Sequence, residues 1–241
     1  MKIFLAGASG AIGKRLSPLL LRAGHAVSGT TRCATKSESL RAAGVEPIVV
    51  DVFDAPALTA AVRRVAPDLV IHQLTDLPFG LDAARMAASG TQRNARMRTE
   101  GTQHLIDAAL AAGVRRVIAQ SIAWQYASGP TPHSEDDPLD LHADGARAIT
   151  ANGVAALERL VLSSPPIAGT VLRYGHLYGP DTGFEFPGDP PTVHVDAAAS
   201  AALLAIEKGH AGIYNVADRS DYLKTDKARR ELGWASDFRL S

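Results

Sequence analysis

The sequence predicts an α/β fold, a doubly wound parallel sheet with a small, shortened C-terminal region. Three observations predict it. Short β-rich runs alternate with longer Ala-, Leu- and Arg-rich runs along most of the 241 residues. Several of the short runs are apolar on both faces, as parallel strands covered by helices on two sides must be. The first of them, "KIFLA", leads directly into "GASGAIG" at residues 7–13, a Gly-rich turn followed by a helical pattern.

Taken in order, the strand candidates are Lys2–Ala6, Ala26–Thr30, Glu46–Val50, Leu69–Leu74, Arg116–Gln120 and Thr170–Tyr174. The helix candidates between them are Ala11–Ala23, Ser37–Ala43, Ala55–Val65, Leu81–Ala112 and Arg147–Leu162. Strand–helix alternation of this kind implies right-handed crossovers. Gly24, Gly44 and Gly113 follow helical runs, where glycine suits a left-handed cap. After residue 124 the texture changes. "SGPTPHSEDDPLD" and "YGPDTGFEFPGDPP" are rich in proline and read as long loops, of the kind that form lids or binding loops. The division expected is 1–175 for the sheet domain and 176–241 for a small, interleaved C-terminal substrate region.

Bulk composition excludes several function classes. Lys+Arg and Asp+Glu both total 25, so nothing points to nucleic acid or an anionic membrane surface. Cys33 is the only cysteine, which rules out an internal disulfide and a cysteine-built metal site, and no metal is expected. No apolar stretch approaches the roughly 20 residues that span a bilayer. The opening apolar run is too short for a signal peptide. The expectation is a soluble, cytoplasmic protein.

The Gly-rich turn carries chemistry. A strand, such a turn and a helix aim backbone N–H groups and the positive end of the helix at a pyrophosphate. Gly7 permits the turn, Gly10 lets the phosphates approach, and Gly13 lets the helix pack against the sheet. Ser9, Ala11 and Ile12 complete the dinucleotide-binding segment. Dinucleotide sites for NAD usually place Asp or Glu about 20 residues further on, at the ribose 2′-hydroxyl. Here "TTRCATKS" holds no carboxylate before Glu38, and Arg32 sits where a 2′-phosphate needs donors, with Lys36 near it. NADP is therefore favoured over NAD; the alternative is that Arg32 is a solvated surface residue. Asp51 either accepts from the adenine amino group or caps the following turn.

The segments "FLAGASGAIG", "VVDVFD", "EGTQHLIDAALAAGVRRVI", "VLRYGHLYGP", "VHVDAAASAALLAI", "GIYNVAD" and "DKARRELGW" together span residues 3–234. In these the chain resembles the extended short-chain dehydrogenase/reductase family of NAD(P)-dependent epimerases and dehydratases. The resemblance implies a Rossmann-type sheet, with Asp51 and Val52 bordering the adenine, Leu74 along the cofactor, and Tyr174 and His176 bordering the nicotinamide. It also implies a small-molecule substrate and a homodimer formed through the helices at 81–112 and 147–162.

One departure stands out. The chemistry of that family rests on a hydroxyl residue with Tyr and Lys four apart on one helix face, where the ammonium lowers the phenol's pKa. No tyrosine here has lysine four residues on, and no lysine lies between Lys36 and Lys208. Aligned on Glu158, the helix puts Thr150 at the Tyr position and Val154 at the Lys position. The candidates to replace the relay are Tyr126 as proton donor, Ser121 beside the usual hydroxyl position, and Arg147 or Arg98 as the cation. His133, His142 and His176 are alternative acids, and Arg173 is expected to face the substrate. The reading is an NADP-dependent oxidoreductase or epimerase acting on a small polar organic substrate with a non-standard proton relay. The alternatives are a non-catalytic NADP-binding sensor or scaffold, and a non-redox lyase or cyclase. There is no G-x-S-x-G elbow, H-E-x-x-H pair or P-loop to support another chemistry.

Overall fold

The computed structural model describes residues 1–78, 80 and 89–240. Seven parallel strands form one sheet. They are β1 (Lys2–Ala6), β2 (Ala26–Thr31), β3 (Glu46–Val49), β4 (Leu69–His72), β5 (Arg116–Ile122), β6 (Ala168–Tyr174) and β9 (Gly212–Val216). Their order across the sheet is β3-β2-β1-β4-β5-β6-β9. The order reverses between β1 and β4, which opens a crevice beyond the carboxyl ends of those strands. A separate parallel pair, β7 (His176–Tyr178) with β8 (Thr192–His194), flanks that crevice.

The central strands are buried because helices cover both faces, while the edge strand β3 buries only Ile48. On one face lie α1 (Ala11–Arg22) and α7 (Val195–Glu207), packed over Ile3, Leu5, Ile71, Ile118 and Leu172. On the other lie α3 (Ala55–Val65), α5 (Thr102–Ala111) and α6 (Gly145–Leu162), over Phe4, Val70, Val117 and Val171. A short α2 (Ser37–Ala42) leads into β3, and α4 (Thr91–Arg96) continues through a π-helical turn, Met97–Gly101, into α5. The candidate helix 81–112 is therefore seen from residue 89 on, and its first eight residues lie outside the described residues.

The expected boundaries hold for β1 and α3 and shift by up to two residues for most other elements. Gly24, Gly44 and Gly113 have φ of 79°, 81° and 75°, the left-handed caps expected. Strands β7, β8 and β9 and helix α7 go beyond the sequence reading. β9 joins the main sheet although it lies in the C-terminal region, and α7 packs on α1, so the segment after residue 175 is woven into the core. Among the described residues, no helix is long and apolar enough to cross a membrane.

Candidate dinucleotide cleft

The crevice at the strand ends is a cleft of about 760 Å³. Its floor begins at the Gly-rich turn. Gly7 adopts φ +95°, and its amide donates to Thr30 Oγ1 at 3.0 Å, which ties the turn to the end of β2. Gly10 then caps α1 with no side chain on the cap. The first amides of a helix have no carbonyl of their own to bond, so those of α1 face the cleft together with the positive end of its dipole. Ser9, Gly10 and Ala11 line the cleft; Ile12 and Gly13 are buried beneath it. An added Cβ at Gly7 would lie 2.7 Å from the Gln73 carbonyl oxygen, and one at Gly13 would overlap the Gly7 carbonyl. The cradle has room for backbone only, and its donor set suits a pyrophosphate.

At one end the cleft is lined by Thr31, Arg32, Lys36, Val50 and Val52. Arg32 Nη2 donates to Asp76 Oδ1 at 3.2 Å in an exposed pair. Asp51 caps the following turn. Its carboxylate oxygen Oδ1 accepts the Phe53 amide at 3.0 Å, and its neighbours Val50 and Val52 line the cleft.

At the other end stand Leu74, Gln120, Ser121, Trp124, Tyr174 and His176. Trp124 and His176 stack, with ring centroids 3.7 Å apart and planes 20° apart. Burial holds the His176 imidazole below its usual pKa, so it is neutral at neutral pH. Leu74 is fixed from two sides. Its amide donates to His72 Nδ1 at 3.2 Å and its carbonyl accepts from Gln120 Nε2 at 3.2 Å. The accepting Nδ1 puts the proton of His72 on Nε2, which faces Thr102 Oγ1 at 2.9 Å. Burial, helped by the charge of Arg98, pushes His72 down to about 4.

The three residues expected to replace the relay do not converge on the cleft. Ser121 reaches it, but its hydroxyl donates to Glu158 Oε1 at 2.8 Å. Tyr126 turns away from the cleft. It is 2% exposed, donates to Asn215 Oδ1 at 2.6 Å and accepts from Arg173 Nη1 at 2.8 Å. Burial pushes its phenol up to about 12 against the pull of Arg173. A phenol so held is a poor proton donor to a substrate, which corrects the expectation made from its place in the loop after β5. Arg147 instead braces that loop, bonding Asp140 at 2.6 Å and the carbonyls of Trp124 and Tyr126 at 3.3 and 3.0 Å.

Arg173, expected at the substrate, is buried behind Ser121 in a two-bond pair with Glu158, at 2.8 and 2.7 Å. Burial works against its charge, but Glu158 more than offsets that and raises its pKa. His133 pairs with Asp137 at 3.2 Å under the same loop, and His142 is exposed. Of the two residues that the alignment on Glu158 sets at the relay positions, Thr150 lines the cleft with its hydroxyl bonded back to the Ala146 carbonyl, and Val154 is fully buried. The one cation at this end that lines the cleft, among the described residues, is Arg98. No local sequence signal separates it from the other arginines of its helix.

Residues 3–238 match the model of the NAD dependent epimerase/dehydratase family. The chain is 41% identical over 239 residues to a 3-diazoavenalumate denitrifying reductase from a Streptomyces species, a match covering 90% of this chain and 76% of that protein. It is 29% identical over 180 residues to the dTDP-4-dehydrorhamnose reductase of Streptomyces griseus, covering 72% of this chain and 49% of that protein. The fold matches a Streptomyces venezuelae dTDP-glucose 4,6-dehydratase with NAD bound at a TM-score of 0.75 and 21% identity, over 100% of this chain and 93% of the other.

Proposed function

The chain belongs to the NAD-dependent epimerase/dehydratase family, and from that premise we propose that it is an NADPH-dependent reductase that replaces a diazo group on a small aromatic substrate with hydrogen. The observation that carries this reading is the pair Thr150 and Val154, which leaves the hydride end of the cleft without a tyrosine–lysine relay. Reduction of a carbonyl consumes a hydride and a proton, so it calls for a positioned acid. Substitution at a diazonium carbon does not: with reduced nicotinamide as the hydride source, the balance is R–N₂⁺ + H⁻ → R–H + N₂. The leaving group departs as a neutral gas and needs no protonation. The similarity to a denitrifying reductase whose substrate is a diazo compound supports the same class for this chain.

The residues present suit such a substrate. The Trp124–His176 stack offers a flat aromatic wall, and a neutral His176 does not repel a cationic diazonium. The chain's contribution would be to hold substrate and cofactor in line and exclude water. The test is turnover of the diazonium derived from 3-aminocinnamate with NADPH deuterated at C4. We expect one N₂ released per NADPH above the rate without enzyme, with deuterium entering the ring from the cofactor and none from D₂O. Tight NADPH binding without turnover would instead favour a non-catalytic binding protein.

The preference for NADPH rests on Arg32, with Lys36 beside it, at the end of the cleft that has no carboxylate after β2. Among the described residues Arg32 is held only by an exposed pair with Asp76, and swinging it onto a phosphate costs little. Arg32→Asp is expected to weaken NADPH roughly 30-fold, in keeping with the loss of a charge-assisted contact of about 2 kcal/mol, while NADH binding shifts less than about threefold. Titrations that show equal losses would remove Arg32 from the 2′-phosphate.

A further inference from the structure

Arg98 lies on the π-helical turn Met97–Gly101, the only break in the otherwise α-helical course from Thr91 to Ala111. Such turns recur at functional sites because the extra residue re-aims side chains. Here the turn sets Met97, Arg98 and Gly101 inward. The arginine is 7% exposed, yet it lines the cleft. Its stem runs along Gly153, where an added Cβ would stand 3.6 Å from Arg98 Cδ and 3.3 Å from Ala95 Cα. The neighbouring position on α6 is Val154, so a guanidinium arrives from α4–α5 beside the place where α6 offers no cation.

The charge around it does not close. Among the described residues Arg98 makes no hydrogen bond or ion pair. Glu158 is the acid nearest in effect, but its carboxylate already takes two bonds from Arg173 and one from Ser121. His72 is neutral. Among the described residues, Glu158, Arg173 and Arg98 thus leave one positive charge in a buried corner that lines the cleft. A buried charge without a partner is costly, and burial already draws this guanidinium down to about 10. It remains cationic at neutral pH, and an anion entering the cleft would complete its surroundings.

We propose that Arg98 is the specificity-determining residue of the cleft, binding a carboxylate of the substrate and so orienting it. The proposal rests on the reading that the cleft holds a dinucleotide with an organic substrate at its hydride end. A planar guanidinium takes a carboxylate through two parallel bonds. Its charge also repels a cationic group on the same molecule. An aromatic carboxylate bearing a diazonium would therefore enter with the carboxylate at Arg98 and the diazonium directed away from it, along the Trp124–His176 wall.

Calorimetric titration of cinnamate and its uncharged analogue cinnamamide into the NADP⁺-saturated protein tests this. The wild type is expected to bind cinnamate at least tenfold more tightly than cinnamamide. Arg98→Met should bring the two within twofold of each other by weakening cinnamate alone, and Arg98→Lys should retain part of the preference. NADPH binding should stay within about threefold in both variants. The thermal midpoint of ligand-free Arg98→Met should be no lower than wild type, because an unpaired buried cation is removed; a merely structural arginine would lower it. A wild type that binds both probes alike overturns the proposal, as does a preference that survives Arg98→Met. A parallel loss of NADPH affinity also overturns it, since the guanidinium would then serve the cofactor. Failure of the wild type to bind NADPH at all would instead bring down the underlying dinucleotide reading. Should the methionine variant not fold, the lysine variant and the two-probe comparison on wild type still decide.

Discussion

Glu158→Ala is expected to destabilise the protein by about 3–5 kcal/mol, the cost of leaving one member of a buried ion pair uncompensated. Glu158 and Arg173 are 5% and 3% exposed. The carboxylate takes Arg173 Nε and Nη2, and Ser121 Oγ donates to the same group. Arg173 goes on to Tyr126 Oη and to the Glu135 carbonyl, and Tyr126 to Asn215. One carboxylate therefore holds a chain of polar groups linking α6, the ends of β5 and β6, and the loop that carries Trp124. Domain stabilities are usually about 5–15 kcal/mol, so the loss would leave little of the fold in mild urea. Arg173→Met should cost a similar amount, by stranding the opposite charge. The double variant Glu158→Leu/Arg173→Met should recover much of the deficit, because two apolar groups need no partner. Urea unfolding of the four proteins checks this. Single variants that each cost less than about 1 kcal/mol would mean the pair is not dry.

Most of the sheet was legible because its signals are local. A buried parallel strand must be apolar on both faces, and Ile3 to Ala6, Leu69 to Ile71 and Val117 to Ala119 show that directly. The glycines that end helices announce themselves through the same sterics. Helix α7 did not, because its signal is the wrong kind. Ten of its thirteen residues are buried, including Ala197, Ala198, Ala199, Ala201 and Ala202, so it has no polar face to give a helical period. Strand β9 begins at Gly212 and carries a fully buried Asn215, which breaks the apolar run; that asparagine is there to receive the Tyr126 hydroxyl.

The cleft divides in the same way. Its end at the Gly-rich turn follows from spacing within the first forty residues, and Ser9, Gly10, Ala11, Arg32 and Lys36 all line it. Its hydride end depends on which way single side chains point. Trp124, Gln125 and Tyr126 are consecutive, yet the first two line the cleft and the third turns under it. Proximity along the chain suggested Tyr126, and only the buried Arg173 beyond it explains the turn. Arg98 was visible as one of two candidate cations, but the sequence could not choose it over Arg147, since what distinguishes it is a helix crossing at Gly153, more than fifty residues away in the chain.

The Gly-rich turn allows folding and binding to be separated, and a large effect on the fold is expected at Gly13→Ala. An added methyl there would overlap the Gly7 carbonyl and stand 2.7 Å from both Ala8 C and Ala8 Cα. All three are backbone atoms in the turn that joins β1 to α1, and they cannot yield by changing rotamer. Relief requires α1 to lift from the sheet and uncover Ile12, Leu16 and Leu20, which are buried in the core beneath it. We expect a loss above about 3 kcal/mol, in the range of severe core disruption, seen as a collapse of the urea midpoint. Gly10→Ala is the contrasting case. Gly10 has an ordinary φ of −82°, and its added methyl would meet only the Gly7 carbonyl oxygen, at 3.3 Å. The fold should stay within about 1 kcal/mol of wild type. That methyl would stand on the cap of α1, where a pyrophosphate must come close to the free amides, and NADPH affinity should fall at least roughly tenfold, or about 1.4 kcal/mol. A Gly10→Ala protein that binds NADPH normally would place the phosphates elsewhere, and a Gly13→Ala protein of wild-type stability would mean that α1 does not approach the turn so closely.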